Sequence, residues 1–369
     1  MPLVALFAIF LGADFREHVI ATDLKGGYQV VAADLNHDGK PDLIALASGM
    51  TDLVWFENPT WERHVIASGL TGMINLAVLD DQIVLAYGFS MVYANSKGIV
   101  AVLKPNGDPR QPWTLTEIDR LPTSHRIRMA KIDGKTVVID APLIGPKAVA
   151  PEYRDHVPLV FYRPGLSNEP WKRIEIGNDN EGIQHGITVV DWDGKGRDSI
   201  LTSSFSGIDL YRYAKSKWTR TEISKGNPDP WPKSGTSDLA VGHTSKQRFL
   251  ATIEPWHGNK VAVYTEHRGQ WRRDVIDDSL LDAHTILTAD LNGNGRDEIV
   301  AGMRGKPYQV LIYSRSDDES HRWTRKVLDT GTMAAAACTA VDLNADHRID
   351  LACIGSATTN LKWYENVAK

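Results

Sequence analysis

The chain of 369 residues has little cysteine, no long apolar segment and no excess of positive charge. Its two cysteines are too few for the disulfide framework of a small secreted scaffold. No apolar run reaches the roughly 18–20 residues of a membrane-spanning helix, so we expect no membrane span. A formal net charge of −5 argues against nucleic acid as a partner, because phosphate binding requires a basic face. These absences leave a globular protein whose fold must be found from its hydrophobic pattern.

The N-terminus and the two cysteines each allow more than one interpretation. Residues 1–13 are an apolar run ending in small residues, similar to the core of a secretory signal but without the usual basic residues in front. We expect a leader and an exported protein; a start-site artefact and a buried strand are the alternatives. Cys338 and Cys353 lie in neighbouring predicted strands, where a cross-strand bridge is possible. We expect instead two small buried residues.

One sequence pattern, an aromatic residue followed by a charged stretch and an aliphatic residue five positions later, recurs along the whole chain. Its copies begin at Phe15, Trp61, Trp113, Trp171, Trp218, Trp271 and Trp323. The alternation is typical of a half-buried strand. Between successive copies lie an apolar run ending in Asp, a polar turn, a second apolar run and a third run such as LVWFEN. Four strands in a repeating unit of this length indicate a propeller blade.

The first and last predicted strands of the sequence belong to the same blade. The sequence finishes on LKWYEN, a third strand, and the repeats begin with FREHVI, a fourth strand. Pairing these two strands closes the ring and leaves no open sheet edge. We therefore predict an all-β fold: a single seven-bladed β-propeller over residues 14–369, with four-stranded antiparallel blades and the N-terminal strand closing the last blade.

In four blades the turn after the first strand carries Asp or Asn at alternate positions, and in the other three blades this turn is degenerate. Alternating Asp and Asn around a Gly is the pattern that a hard cation such as Ca²⁺ requires. With this turn the sequence resembles the FG-GAP or VCBS repeat family of propellers, whose first hairpin often carries a calcium loop. The resemblance implies calcium or magnesium at three loops, whose ligands would be Asp34, Asn36, Asp38 and Asp42; Asp290, Asn292 and Asn294; and Asp342, Asn344, Asp346 and Asp350. Turn-forming residues without a metal are the alternative.

A second set of residues starts the innermost strands, six positions before the hairpin Asp. This position holds His125, His185 and His284 in three blades and Tyr28 in the first blade. Because equivalent positions on inner strands converge on the channel, the histidines are predicted to hold zinc or a similar ion at its mouth, with an open position for substrate. Glu181 and Asp282 are candidates to orient the imidazoles. Histidines lining a water-filled channel are the alternative.

Loop lengths favour the same end of the channel as the functional face. The long insertions at residues 86–98, 142–158 and 225–236 all lie there, and long loops over one mouth of a propeller commonly form a pocket. His257, which follows Trp256, is a candidate general base on this face. The remaining candidates for catalysis or anion binding are Tyr28, Tyr87, Arg304 and Lys147.

Several segments on these strands and loops point to one kind of chemistry. HRIRMAK, APLIGP, HGITVVDWDG, EPWHGN and DAHTILTADLNGNGRDEIVAG resemble the propeller domain of the aldos-2-ulose dehydratases, which eliminate water from oxidised sugars and carry further cupin-type domains. The resemblance implies a metal-dependent carbohydrate lyase or dehydratase, acting by β-elimination on a keto or uronic sugar at the channel mouth. A non-catalytic propeller that binds glycan or protein is the alternative.

Overall fold

A computed structural model describes residues 14–165, 170–316 and 322–368, so the predicted leader lies outside the described residues. Strands and turns account for nearly all of the described chain. The first half contains β1 (Phe15–Ala21), β2 (Gly27–Ala33), β3 (Asp42–Ala47), β4 (Leu53–Glu57), β5 (Glu62–Ala67), β6 (Asn75–Leu79), β7 (Gln82–Tyr87), a 3₁₀ turn (Tyr93–Asn95), β8 (Ile99–Lys104), β9 (Thr114–Arg120), β10 (Ser124–Ile132), β11 (Lys135–Pro142), β12 (His156–Arg163) and β13 (Lys172–Glu181). The second half contains β14 (Gln184–Val190), β15 (Ser199–Ser204), β16 (Gly207–Ala214), β17 (Lys217–Ser224), β18 (Asp238–His243), β19 (Arg248–Glu254), β20 (Lys260–His267), β21 (Gln270–Asp277), β22 (Ala283–Ala289), β23 (Glu298–Met303), β24 (Gln309–Arg315), β25 (Trp323–Thr330), β26 (Ala335–Val341), β27 (Asp350–Gly355) and β28 (Leu361–Asn366).

The strands form seven sheets of four antiparallel strands each, and the predicted propeller is confirmed. Blades one to six are consecutive groups of four strands from β2 to β25. Blade seven combines β26, β27 and β28 with β1, which pairs from Phe15↔Asn366 to Ala21↔Leu361. The N-terminal strand therefore closes the ring as the sequence predicted. Over the described residues, no helix has the length and apolar character needed to cross a membrane.

The core is divided into apolar layers between the blades. A cluster of buried side chains fills each of the interfaces between neighbouring blades. The repeated tryptophan before each outer strand packs into the cluster shared with the preceding blade, as Trp113 of blade two does with Ile44 and Trp55 of blade one. Burial of these large side chains explains why the aromatic position recurs.

In blades one, six and seven, the carboxylate that ends the hairpin motif anchors its own loop. Asp42 is fully buried, and its two carboxylate oxygens accept the backbone N–H groups of Leu35 and Asn58, each at 2.9 Å. The side-chain amide of Asn58 then donates to the carbonyl oxygen of Leu343 in blade seven at 2.7 Å. A buried carboxylate that satisfies two backbone donors fixes the hairpin and, through Asn58, its neighbour.

The two cysteines form a disulfide, and the expectation of two unbridged buried residues was wrong. Cys338 on β26 lies directly opposite Cys353 on β27, with Cα atoms 4.1 Å apart. Directly opposed residues of an antiparallel pair bring their Cβ atoms close together, which the sequence separation of 15 did not reveal.

Candidate histidine site at the inner end of the channel

β-Bulges at the start of the inner strands place the histidines on the axis of the ring. The register between the first and second strands skips one residue at the same point in five blades, at Tyr28, His125, His185, His284 and Ala336. A bulge re-aims the side chain of the residue that it leaves unpaired. The rings meet as a result: the centroids lie 4.9 Å apart for His125 and His185, 5.1 Å for His185 and His284, and 5.2 Å for Tyr28 and His284.

Three imidazole side chains bring their ring nitrogens close together. One of the three, His257, was predicted from the sequence to be a general base and not a metal ligand. One nitrogen from each of His185, His257 and His284 lies within 4.8 Å of the others, the only such group of potential ligands in the part of the chain that the structure describes. The Nε2 atoms of His185 and His257 are 3.3 Å apart. The sequence predicted His125, His185 and His284 as the ligands. The structure groups His185 and His284 with His257 in place of His125.

The partners of the other ring nitrogens orient the imidazoles; Nε2 of His284 has no partner, whereas Nε2 of His185 also lies 3.4 Å from the guanidinium of Arg126. Nδ1 of His284 lies 2.6 Å from the carbonyl oxygen of Ala336 and donates to it, while its buried Nε2 has no hydrogen-bond partner. Nδ1 of His185 lies 3.3 Å from the hydroxyl of Ser237. These contacts orient the rings as carboxylates do in many metal sites. Nδ1 of His257 faces both Arg304 at 3.1 Å and the Asp282 carboxylate at 3.5 Å.

All four histidines are held neutral. Burial lowers the pKa of His125, His185 and His284 well below the usual value, and nearby arginines add to the effect. Burial, followed by Arg304 and Arg126, lowers the pKa of His257 to about 3. The neutral imidazole is the form that binds a metal ion or accepts a proton.

A tyrosine–histidine pair lies beside the three-histidine cluster. The Tyr28 hydroxyl is 2.8 Å from Nε2 of His125, and the guanidinium of Arg126 lies 3.3 Å from both groups. Nδ1 of His125 is buried without a partner. The pair can therefore exchange a proton along one short hydrogen bond.

A cavity of 820 Å³ runs along the channel and reaches this site at Tyr28 and His284, while His125, His185 and His257 lie behind its lining. Its inner end is formed by Tyr28, Arg126 and His284, and it extends along the inner strands to the exposed His243 on the hairpin face. Small-molecule sites have volumes of about 300–1,000 Å³, so the channel can hold a sugar.

On the opposite face, the long loops bring aromatic side chains together over the histidines. Phe205 packs with Phe89, Tyr153, Trp231 and Trp256 from the loops of blades two, three and five. Two of these rings also contact the histidines, with Phe89 5.6 Å from His125 and Trp256 4.6 Å from His257 between ring centroids. The predicted convergence of the long loops therefore takes the form of a packed aromatic cluster beside the site.

The other predicted side chains are distributed more widely. Arg304 and Asp282 reach the cluster as an ion pair, 2.9 Å apart, beside His257. Tyr87 packs in the interface of blades one and two, where burial raises its pKa. Lys147 is exposed, and its backbone N–H donates to Asp155. Glu181 pairs with Arg154 at 3.6 Å on the outer strand of blade three, away from the imidazoles.

The hairpin oxygens are occupied by bonds inside their own loops. In blade one, the Asp34 carboxylate accepts the backbone N–H groups of Asp38 and Gly39 at 3.1 and 2.9 Å. The carboxylates that end the hairpins are turned inward in three blades, at Asp42, Glu298 and Asp350. Cation binding at these loops stays a prediction.

Sequence reasoning missed the two arginines that line the same cavity. Arg126 and Arg128 belong to the HRIRMAK segment, two residues apart on β10, so alternation places them on one side of the strand. Two basic residues at this spacing next to a predicted site histidine were the signal available.

The fold and the histidine site together define a seven-bladed β-propeller with a polar cluster closing its channel. The family description "FG-GAP repeat" matches residues 26–55, the first three strands of blade one. The description "Aldos-2-ulose dehydratase, beta-propeller domain" matches residues 97–267, which contain His125, His185 and His257. The resemblance stated from the sequence is thus confirmed.

Individual proteins give the same result. The chain is 25% identical over 340 residues to aldos-2-ulose dehydratase of Phanerodontia chrysosporium, a match that covers 79% of this chain and 37% of that enzyme. The chain thus spans little more than a third of the length of that relative. Two crystal structures of BBS1N in complex with ARL6DN, soaked with mercury or lead, contain chains that align with TM-scores of 0.60 and 0.57 at 11% and 13% identity. These alignments cover 95% of both chains in the first case, and 96% of this chain and 97% of the other in the second, and show the fold alone.

Proposed function

We propose that this chain is a metal-dependent carbohydrate lyase of the dehydratase type. It would remove a proton next to a carbonyl or carboxylate of an oxidised sugar and eliminate the oxygen substituent on the following carbon. The observation that carries the proposal is the three-histidine cluster beside the Tyr28–His125 pair, each of which presents one residue, His284 and Tyr28 respectively, to the inner end of one sugar-sized channel. The similarity to aldos-2-ulose dehydratase supports a sugar substrate.

The residues of the cluster fit a divalent ion such as Zn²⁺. Two nitrogens bound at about 2.0–2.1 Å to a tetrahedral ion lie about 3.3 Å apart, which is the separation of the Nε2 atoms of His185 and His257. His284 has its Nδ1 proton bound to a carbonyl oxygen and its buried Nε2 without a partner, as a ligand requires. When bound, the ion would supply a Lewis acid that polarises a substrate oxygen.

Tyr28 and His125 are assigned to proton transfer. In the elimination, the C–H bond breaks and its proton goes to the base, while the electron pair forms the C=C bond. The C–O bond breaks, and the leaving oxygen takes a proton and departs as water or an alcohol. The Tyr28 hydroxyl takes the first proton as it passes its own to His125, and the same pair returns a proton to the leaving oxygen. Proton gain and loss on the protein therefore balance.

The loop-face residues hold the third ligand in place. Arg304 and Asp282 form an ion pair against Nδ1 of His257. The Arg304 guanidinium donates to Nδ1 of His257 at 3.1 Å, and Nε2 would serve as a ligand atom in the other tautomer, in which Nδ1 carries the proton and faces the Asp282 carboxylate at 3.5 Å. A non-catalytic binding propeller would give no role to four buried neutral imidazoles.

The test combines metal analysis with an elimination assay. Purified protein is loaded with Zn²⁺, Mn²⁺ or Ni²⁺, and formation of the unsaturated product is followed by ultraviolet absorbance with aldos-2-uloses and with uronate glycosides. H185A and H284A are expected to lose metal and activity together, whereas Y28F is expected to keep the metal and lose turnover. H243A, at the hairpin end of the same channel, is the matched control. Full activity in metal-free protein, or in H185A, would overturn the proposal.

A further inference from the structure

The inner end of the channel carries two guanidinium groups that no carboxylate of the described residues contacts directly. Arg126 is 4% exposed, and the groups within hydrogen-bond distance of its guanidinium are the neutral Tyr28, His125 and His185, at 3.3–3.4 Å. Arg128 donates to the side-chain oxygen of Asn75 at 3.1 Å and to the carbonyl oxygen of Ile127 at 2.8 Å. Within residues 14–165, 170–316 and 322–368, neither arginine has a carboxylate oxygen within 4 Å, although ion pairs are common elsewhere on the molecule.

The surroundings neutralise only part of this charge. Among the described residues, Asp238, across the channel, is the one carboxylate whose charge acts on both arginines, and it lies beyond ion-pair contact with either, so two guanidinium groups share a single distant carboxylate. Burial lowers the pKa of Arg128 to about 10, and the charge of Arg126 is the next cause. This shift is the one expected when two cations lie close together with little solvent around them. Buried charges are ordinarily paired, and an unpaired one carries a large solvation cost.

The charge lies where a channel ligand would contact it. Arg126 and Arg128 both line the 820 Å³ cavity, and Tyr28 and His284 close the same end of it. A guanidinium presents a planar pair of donors that matches a carboxylate, and two of them on one side of a strand can hold its two oxygens.

We infer that Arg126 and Arg128 bind the carboxylate of an acidic sugar, so that the ligand of this channel is a uronate rather than a neutral sugar. The inference deepens the proposed function and rests on it only for the identity of the ligand as a sugar. It also moves anion binding away from Arg304, which is paired with Asp282, and from exposed Lys147.

Calorimetric titration of the full chain with D-glucuronate and D-glucose tests the inference, because the two probes differ only in a carboxylate replacing a hydroxymethyl group. We expect D-glucuronate to bind at least tenfold more tightly than D-glucose, and to weaken as salt is raised. R126Q and R128Q should each reduce the affinity for D-glucuronate at least tenfold, while K147Q should leave it unchanged. R126K keeps the charge without the planar fork and should bind with intermediate affinity, and circular dichroism verifies that each variant is folded.

Equal affinities for D-glucuronate and D-glucose would overturn the inference, as would equal affinities for D-glucuronate and acetate, which carries the charge without the sugar. Unchanged binding in folded R126Q and R128Q would also overturn it. Tight D-glucuronate binding without elimination of any substrate would refute the proposed function and leave this inference standing. Elimination from neutral keto sugars without D-glucuronate binding would support the proposed function and overturn this inference.

Discussion

Acidification is expected to destabilise the fold through His257, whose side chain is only 24% exposed. The pKa of this imidazole is about 3 in the folded chain, against 6.5 for the unperturbed group. Because the folded pKa is the lower one, the unfolded chain binds more protons between these values. The stability that the neutral form provides is fully present above pH 6.5 and is lost as pH falls toward 3.

The size of the effect follows from the two pKa values. Between about pH 7.5 and about pH 5, the unfolded imidazole becomes mostly protonated while the folded one stays neutral, which costs about 2 kcal/mol. His125, His185 and His284 act in the same direction, because burial lowers each of their pKa values. The total loss in the wild type is therefore expected to exceed the share of His257.

The assay is urea unfolding followed by tryptophan fluorescence at several pH values, with a chelator present and with coincident unfolding and refolding curves. H257N is the informative variant, because Asn tolerates the left-handed backbone of His257 (φ 48°) and cannot titrate. The difference in unfolding free energy between H257N and wild type should shift by about 2 kcal/mol over this pH range. H37N, at an exposed histidine with φ 60°, controls for the substitution itself. Parallel pH profiles for wild type and H257N would refute the reasoning.

Four further outcomes are expected. Zn²⁺ should raise the thermal midpoint of wild type and of H243A but not of H284A, in a scanning-calorimetry titration; a rise in H284A would place the ion elsewhere. Reducing the disulfide, or replacing both cysteines by serine, should cost about 3 kcal/mol in urea unfolding, since the bridge closes a loop of 15 residues; equal stability of the two forms would show that the bridge does not constrain the unfolded chain. D42A should cost about 1–3 kcal/mol for each backbone N–H it leaves unsatisfied, with or without Ca²⁺. D34A should differ from wild type mainly in Ca²⁺ if that hairpin binds the ion, so a Ca²⁺-independent D34A would refute the hairpin site.

Only part of the candidate site could be predicted from the sequence pattern. The common register of His125, His185 and His284 was visible because each starts an inner strand, and their convergence follows from the rotational repeat of the blades. His257 lies outside that register, at a left-handed position in a loop of blade five. Its approach to His185 depends on loop packing, which no periodicity encodes. The cross-strand disulfide and the lack, among the described residues, of a carboxylate in contact with Arg126 likewise depend on which atoms meet in space.

The seven-bladed ring was determined by the sequence itself. A repeated strand pattern buries its apolar face only against another copy of itself, and the unmatched first and last strands supply the closing pair. Local periodicity is enough for such a fold, because each blade contacts its neighbours in the same way. The site was decided by the tertiary structure: bulges re-aim the inner side chains, loops supply the third imidazole, and burial keeps the histidines neutral. These effects arise from contacts between residues of different blades, so they depend on the assembled ring.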